Sequence, residues 1–313
     1  VTPDDFVHEP VMVDEVAAVF APVPEGTLLD ATLGGGGHAE ALLERCPQLS
    51  LLGLDRDEQA LDAARQRLRR FGERATTVHS RFDRLAEVMA DSGIDRLSGA
   101  LFDLGVSSPQ LDHAERGFSY RNEGPLDMRM DRRGGRSAAD VVNGYDEVSL
   151  ARVIREYGDE RFAGRIARAI VAGRPITTTT ELAAIVSAAI PAATRRTGGH
   201  PAKRTFQALR IEVNSELEQL PGALDQAIDV TVPKGRVAVL TYHSGEDRLV
   251  KQRFTEAVTG ACTCPPGLPC VCGAVATARR VRAPRTPSVE QSERNRRARS
   301  ARLRVVEKVG AAR

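Results

Sequence analysis

Thr27-Leu-Leu-Asp-Ala-Thr-Leu-Gly-Gly-Gly-Gly-His-Ala-Glu-Ala-Leu-Leu-Glu-Arg45 passes from an apolar run, through four glycines, into a helical pattern. Residues 27–31 read as a strand, Gly34 to Gly37 as a loop and His38 to Arg45 as a helix. Such a loop lets a ligand approach the backbone, because no side chain stands in the way, and it aims amide N–H groups at that ligand. Residues 34–39 also satisfy the G-x-G-x-x-G/A dinucleotide pattern, which keeps a dinucleotide-dependent dehydrogenase open as a reading. No G-x-x-x-x-G-K-[ST] sequence occurs, which argues against a P-loop nucleotidase.

The alternation of strand and helix continues. Leu49 to Leu54 is a second apolar run ending at Asp55, and residues 57–71 carry Ala60, Leu61, Ala64, Leu68 and Phe71 at helical spacing. Residues 75–79 read as a third strand with a helix near 83–91, and Leu97 to Phe102 as a fourth strand closed by Asp103. The pattern predicts an α/β fold: a parallel sheet covered by helices, with its ligand crevice at the carboxyl ends of the strands. After Asp103 it breaks. Residues 112–205 show no strand, only helices near 146–157, 159–173 and 179–190, which predicts an inserted all-helical domain. A helix at 204–230, the strand Arg236 to Tyr242, a helix at 245–258 and the strand Leu303 to Val309 then complete the core. The predicted core is therefore residues 1–111 with 206–313, and the insert 112–205.

Three carboxylates stand at strand ends. Asp55 follows the glycine loop by about twenty residues, the place where an acid accepts ribose hydroxyls in a dinucleotide or an adenosyl ligand. Asp30 and Asp103 add negative charge, which favours a cationic ligand over a pyrophosphate. S-adenosylmethionine, with a sulfonium, an ammonium and no phosphate, fits. Asp30 reads equally well as a brace that hydrogen-bonds the loop.

The 313 residues are 42% hydrophobic and 27% charged, enough for a large core plus a smaller domain, and they exclude disorder and collagen-like repeats. No apolar run approaches the roughly 20 residues that span a bilayer, and the first ten residues lack a basic-then-apolar leader pattern, so a cytoplasmic protein without membrane partners is expected. The net charge of +2 conceals an asymmetry: residues 279–313 hold twelve basic and three acidic side chains, against 32 basic and 39 acidic in the rest. A basic end on an acidic body predicts a polyanionic partner.

Several segments together resemble one family: His8-Glu-Pro-Val-Met12, Asp30 to His38, Asp55-Arg-Asp57 and Asp103-Leu-Gly-Val-Ser-Ser-Pro-Gln-Leu-Asp112. Glu115-Arg-Gly-Phe-Ser119, Gly124-Pro-Leu-Asp-Met-Arg-Met-Asp131, Arg204-Thr-Phe-Gln-Ala-Leu-Arg210 and His243-Ser-Gly-Glu-Asp-Arg248 extend the match. The chain resembles the MraW family of bacterial small-subunit ribosomal RNA methyltransferases, which use S-adenosylmethionine to methylate cytosine N4. The resemblance implies a Rossmann-like class I methyltransferase core with an inserted helical substrate domain. It places cofactor contacts on Gly36, Gly37, His38, Asp55, Phe82, Asp103 and Gln110. It also implies small-subunit ribosomal RNA as partner, taken as an assembled subunit near its decoding centre, and it allows a homodimer. A non-catalytic RNA-binding assembly factor that retains this fold is a further reading.

A cytosine amine is a poor nucleophile, so it must be held in line with the S–CH₃ bond, its hydrogens accepted as charge develops, and the base must leave its stack. Amino methyltransferases commonly carry an Asp/Asn/Ser-Pro-Pro-aromatic segment after the fourth strand. The nearest equivalent here is Ser108-Pro109-Gln110-Leu111, without the second Pro and the aromatic. Asp103, Ser108 and Pro109 are thus the catalytic candidates, while Ser107 and Ser108 read equally as a turn before Pro109. Tyr242, Phe118 and Tyr120 are candidates for the stacking partner, and His243 for positioning the base or for a structural role. Arg129, Arg132, Arg133 and Arg204, in Gly- and Pro-rich surroundings, are candidates for RNA contact, as are Arg195 and Arg196. Cys262-x-Cys264-x₅-Cys270-x-Cys272 offers four thiolates, the number of a structural zinc site, in tighter spacing than the usual Cys-x₂-Cys. Free thiols or a redox disulfide are the other reading, and no catalytic metal is expected.

Overall fold

Parallel strands buried on both faces need continuous apolar runs, and alternate residues of each run must serve opposite faces. The computed structural model, which describes residues 10–192, 199–265, 271–295 and 298–310, follows that rule. Its strands are β1 (Gly26–Asp30), β2 (Leu49–Asp55), β3 (Ala75–His79), β4 (Leu97–Asp103), β5 (Thr231–Thr241), β6 (Ala278–Arg280) and β7 (Arg302–Lys308). They form one sheet in the order β3-β2-β1-β4-β5-β7-β6. The first five run parallel, whereas β7 lies antiparallel between β5 and β6. Leu28, Leu51, Leu101, Ala238 and Leu240 face one apolar layer with the helices Val13–Phe20, Gly37–Arg45 and Glu58–Leu68. Leu29, Leu52, Phe102, Val237 and Val239 face the other, with the helices Leu85–Asp91, Glu216–Val230 and Ser244–Thr259.

The sheet is mixed where the strand pattern alone predicted a parallel one, because the last strand returns from the basic segment on the far side of β5. β5 also begins earlier than expected, at Thr231, and ends before Tyr242. Its pairing with β4 shifts register between Leu97 and Gly99, where Lys234 within β5 takes φ +69°. Strand order reverses between β1 and β4, so the crevice of a doubly wound sheet opens at the carboxyl ends of these strands, where Asp30 and Asp103 stand, with Asp55 at the end of the adjacent β2.

The chain divides into two compact units, Val1–Gly105 with Leu217–Arg313, and Val106–Glu216. The second unit reaches further along the chain in both directions than the expected 112–205, taking in the helices Ser108–Asp112 and Lys203–Asn214. Among its described residues there is no strand, only an isolated bridge between Pro125 and Thr178. Its core joins Met128, Val141, Leu150, Ile154, Ile166, Leu182, Phe206 and Leu209. The single helix expected over 204–230 is two helices, because Ser215 takes a left-handed φ of +50° and ends the first.

Candidate active site

Asp30 closes β1 and is 1% exposed; its Oδ1 accepts a hydrogen bond from the Thr32 amide at 3.2 Å. Burial pushes its carboxyl up to about 7, against the pull of nearby His38 and of the Thr32 amide. Asp55 Oδ2 accepts from the Gly34 amide at 2.7 Å and its Oδ1 from the Asp57 amide at 2.8 Å. Burial raises Asp55 as well, opposed by these two amides. Asp55 is therefore a brace of the glycine loop. Each of its oxygens still keeps a lone pair, so the same carboxylate retains capacity for two hydroxyl donors.

The loop turns through Gly34 (φ +52°) and Gly36 (φ +78°), backbone conformations that L side chains avoid. At Gly36 a Cβ would also lie 3.3 Å from Ala64 Cβ, so glycine lets the helix Gly37–Arg45 start against the helix Glu58–Leu68. That helix carries His38, which is 6% exposed with both ring nitrogens buried and without hydrogen-bond partners. His38 Nε2 lies 3.4 Å from Asp103 Oδ2.

Asp103 is held from two other directions. Its amide donates to Thr32 Oγ1 at 2.6 Å, and the Tyr242 hydroxyl donates to its Oδ1 at 2.6 Å. Burial, reinforced by Asp103, keeps the Tyr242 phenol well above its ordinary range, so it remains a donor. Tyr242 is in turn fixed by Glu246, 2% exposed, whose Oε2 accepts from the Tyr242 amide at 2.7 Å and from the His243 amide at 3.3 Å. His243 Nδ1 accepts from the Glu246 amide at 3.4 Å, and its Nε2 is 3.0 Å from Glu246 Oε1. His243 thus caps the helix Ser244–Thr259. Phe82 meets Phe102 edge-on, with ring centroids 5.9 Å apart, and is only partly buried.

Asp30, Gly36, Gly37, His38, Asp55, Phe82, Asp103, Tyr242 and His243 all belong to the sheet-bearing unit; Ser108, Pro109 and Gln110 belong to the other. There Ser108 opens the helix Ser108–Asp112, Pro109 is buried, and Gln110 Oε1 accepts from the Ser107 amide at 3.1 Å. The candidate arginines already have protein partners. Arg129 makes a two-pronged pair with Asp127 at 2.8 and 3.0 Å, and Arg132 lies 3.4 Å from the same carboxylate. Burial raises Asp127, but Arg129 outweighs it and the carboxyl sits below its usual range. Arg133 pairs with Asp131, and Arg204 donates to the Asp159 carbonyl at 2.9 Å. Arg195, Arg196 and Cys270 lie outside the described residues. Of the proposed stacking rings, Phe118 is buried and Tyr120 is stacked on His200 at 4.5 Å.

Thr32 and Glu246 were not anticipated from the sequence. Thr32 sits two residues after the strand-ending Asp30, where a hydroxyl commonly bonds a backbone turn. Glu246 stands three residues after His243, the spacing of a capping box with His in place of Ser or Thr.

The profile of the MraW methylase family matches residues 5–309. A ribosomal RNA small subunit methyltransferase H of Heliobacterium mobile is 49% identical over 312 residues, covering 97% of this chain and 100% of that protein. The protein of the same name from Symbiobacterium thermophilum is 51% identical, with 98% of each chain covered. Among solved structures, an rRNA methylase from Streptococcus thermophilus aligns over 95% of this chain and 94% of its own at 14% identity, with a TM-score of 0.41.

Proposed function

The chain belongs to the MraW methylase family, and from that premise we propose that it methylates N4 of one cytidine in small-subunit ribosomal RNA, near the decoding centre of an assembled subunit. It is an S-adenosylmethionine-dependent methyltransferase of small-subunit ribosomal RNA with a Rossmann-like class I core. The observation that carries the cofactor reading is the set of acceptors at the crevice. Asp30, Asp55 and Asp103 crowd negative character around the glycine loop, and the two buried His38 ring nitrogens make no hydrogen bond, Nε2 only facing Asp103 Oδ2 at 3.4 Å. A pyrophosphate would be repelled there. A ligand with a sulfonium, an ammonium and a ribose diol supplies what each group lacks, so the residues present fit the cofactor.

S-adenosylmethionine supplies an electrophilic methyl group carried on a sulfonium. Gly36, Gly37 and His38 would line its methionine end, Asp55 would accept the ribose hydroxyls with its remaining lone pairs, and Phe82 would lie on the adenine. Gln110 joins this set by the sequence resemblance alone. Tyr242, by donating to Oδ1 of Asp103, fixes that carboxylate and leaves Oδ2 to accept an N–H of the target amine as positive charge develops on it. The alkylated amine then loses a proton to solvent, which asks no tuned general base of the protein. Ser108 and Pro109, a few residues along the chain from Asp103, are the sequence's further candidates for holding the amine.

On the RNA side, pairing with Asp127, Asp131 or a carbonyl uses only part of the five donors of each guanidinium. Arg129, Arg132 and Arg204 keep N–H groups for phosphates, positioned by those partners, and Arg133 is a candidate beside them. With Tyr242 committed to Asp103 and His243 to its cap, their contribution to the base is to shape its pocket.

Purified protein, methyl-labelled S-adenosylmethionine and either unmodified small subunits or naked ribosomal RNA form the test. Label recovered as N4-methylcytidine, with subunits the better substrate, is the expected result. Label in another nucleoside would refute the cytosine assignment, and binding of RNA without label would favour a non-catalytic factor.

A further inference from the structure

Between the helix Ser244–Thr259 and β6, the chain makes an excursion that the sheet does not require. Its base is tightly closed. Ala261 N donates to Glu256 O at 2.9 Å, Thr277 N donates to Ala257 O at 2.8 Å, and Val309 N donates to Thr277 O at 3.1 Å. Gly260 has φ +63°, and a Cβ there would come within 2.5 Å of Val275 N, so the returning strand of the loop lies directly on the helix end. Among the described residues above this base nothing apolar is buried: Val271 is 90% exposed and Val275 64%. A segment of this length without a core needs another source of order, and a metal or cross-link is how small coreless segments obtain it.

The candidate for that source is a cluster of sulfurs. The Sγ atoms of Cys262, Cys264 and Cys272 all lie within 4.8 Å of one another, and those of Cys262 and Cys272 are 3.6 Å apart. Tetrahedral zinc with Zn–S bonds of about 2.3 Å sets its sulfurs about 3.8 Å apart, close to this arrangement. A disulfide brings two sulfurs to about 2.05 Å and gives the third no role. We propose that Cys262, Cys264 and Cys272 bind one structural zinc ion as thiolates, releasing their protons to solvent, and that this ion orders the loop joining the last long helix to β6. Three soft thiolates select zinc over hard divalent cations such as magnesium. The fourth position of the tetrahedron goes to a donor from outside these three.

The test uses the full-length protein purified without chelators, with metal content measured by mass spectrometry against protein concentration. One zinc per chain is expected, falling to background in Cys262→Ser/Cys272→Ser. Exchange for cobalt should give thiolate-to-metal charge-transfer absorption that the double variant lacks. Chelation should accelerate limited proteolysis within residues 259–277 about tenfold, because cleavage follows the population of the open loop, while S-adenosylmethionine binding persists. Metal content that stays near zero after zinc is supplied, or a Cys262–Cys272 disulfide in freshly isolated protein, would overturn the proposal.

Discussion

Asp30 illustrates how one buried carboxyl couples ligand, proton and stability. In the unfolded chain it releases its proton near its ordinary 3.8, and in the folded protein near 7. The folded state therefore holds more protons between these values. This contribution to stability is fully present below the lower pKa and is lost as pH rises through the upper one. A cation bound beside Asp30 favours the ionised form, so affinity for S-adenosylmethionine should rise with pH up to just above 7. Asp30→Asn should flatten that dependence, measured by calorimetric titration across pH; an unchanged slope would remove Asp30 from the cofactor site. Tyr242 gives a second prediction. Tyr242→Phe deletes a hydrogen bond to a carboxylate, worth about 1.5–3 kcal/mol, so kcat/KM should fall about tenfold to a hundredfold, measured in steady-state kinetics; an unchanged kcat/KM would show that Asp103 needs no anchoring by the phenol. The three acids were legible in the sequence because each ends an apolar run. The Tyr242–Asp103 bond was not, since it depends on β5 lying beside β4, and adjacency of strands distant in sequence is not written in either strand.

Among the elements, those with a strong period were readable and those held by tertiary contacts were not. β1, β2 and β4 are near-continuous apolar runs, and the helices after β1 and β2 keep their apolar residues on one face. β6 is only Ala278, Arg279 and Arg280, and is a strand because β7 pairs with it. The break at Ser215 carries neither Gly nor Pro to mark it, and His243 is an uncommon cap. The glycine loop is the element on which the site depends. Gly36→Ala places a side chain at φ +78° and against Ala64, so it should cost about 1–2 kcal/mol in denaturant unfolding and weaken cofactor binding further. Full retention of both would mean that the helix start does not need its observed geometry.

On the scale of the whole molecule, the charge asymmetry resolves into two kinds of arginine. Glu307 in β7 pairs with Arg236 and Arg279, and Asp247 takes Arg304 at 2.7 Å with Arg302 at 3.7 Å. These close the sheet's last strands and are largely neutralised within the fold. Arg282 and Arg285 also stand exposed, on the segment between β6 and the helix Val289–Arg294, with Arg285 adding to the positive charge that lowers Asp247, and both are suited to phosphates. Arg282→Glu/Arg285→Glu should weaken RNA binding and reduce the slope of log K against log salt by about 1–2, with S-adenosylmethionine affinity unchanged; an unaltered slope would place the RNA elsewhere. The segmental charge count was legible in the sequence, but which arginines are internally paired required the register of β7. The central claim, methyl transfer to cytosine N4 of small-subunit ribosomal RNA, meets its most direct test in nucleoside mass spectrometry of that RNA from cells with and without the gene. N4-methylcytidine should fall on deletion and return with the wild-type chain; an unchanged amount would contradict the assignment.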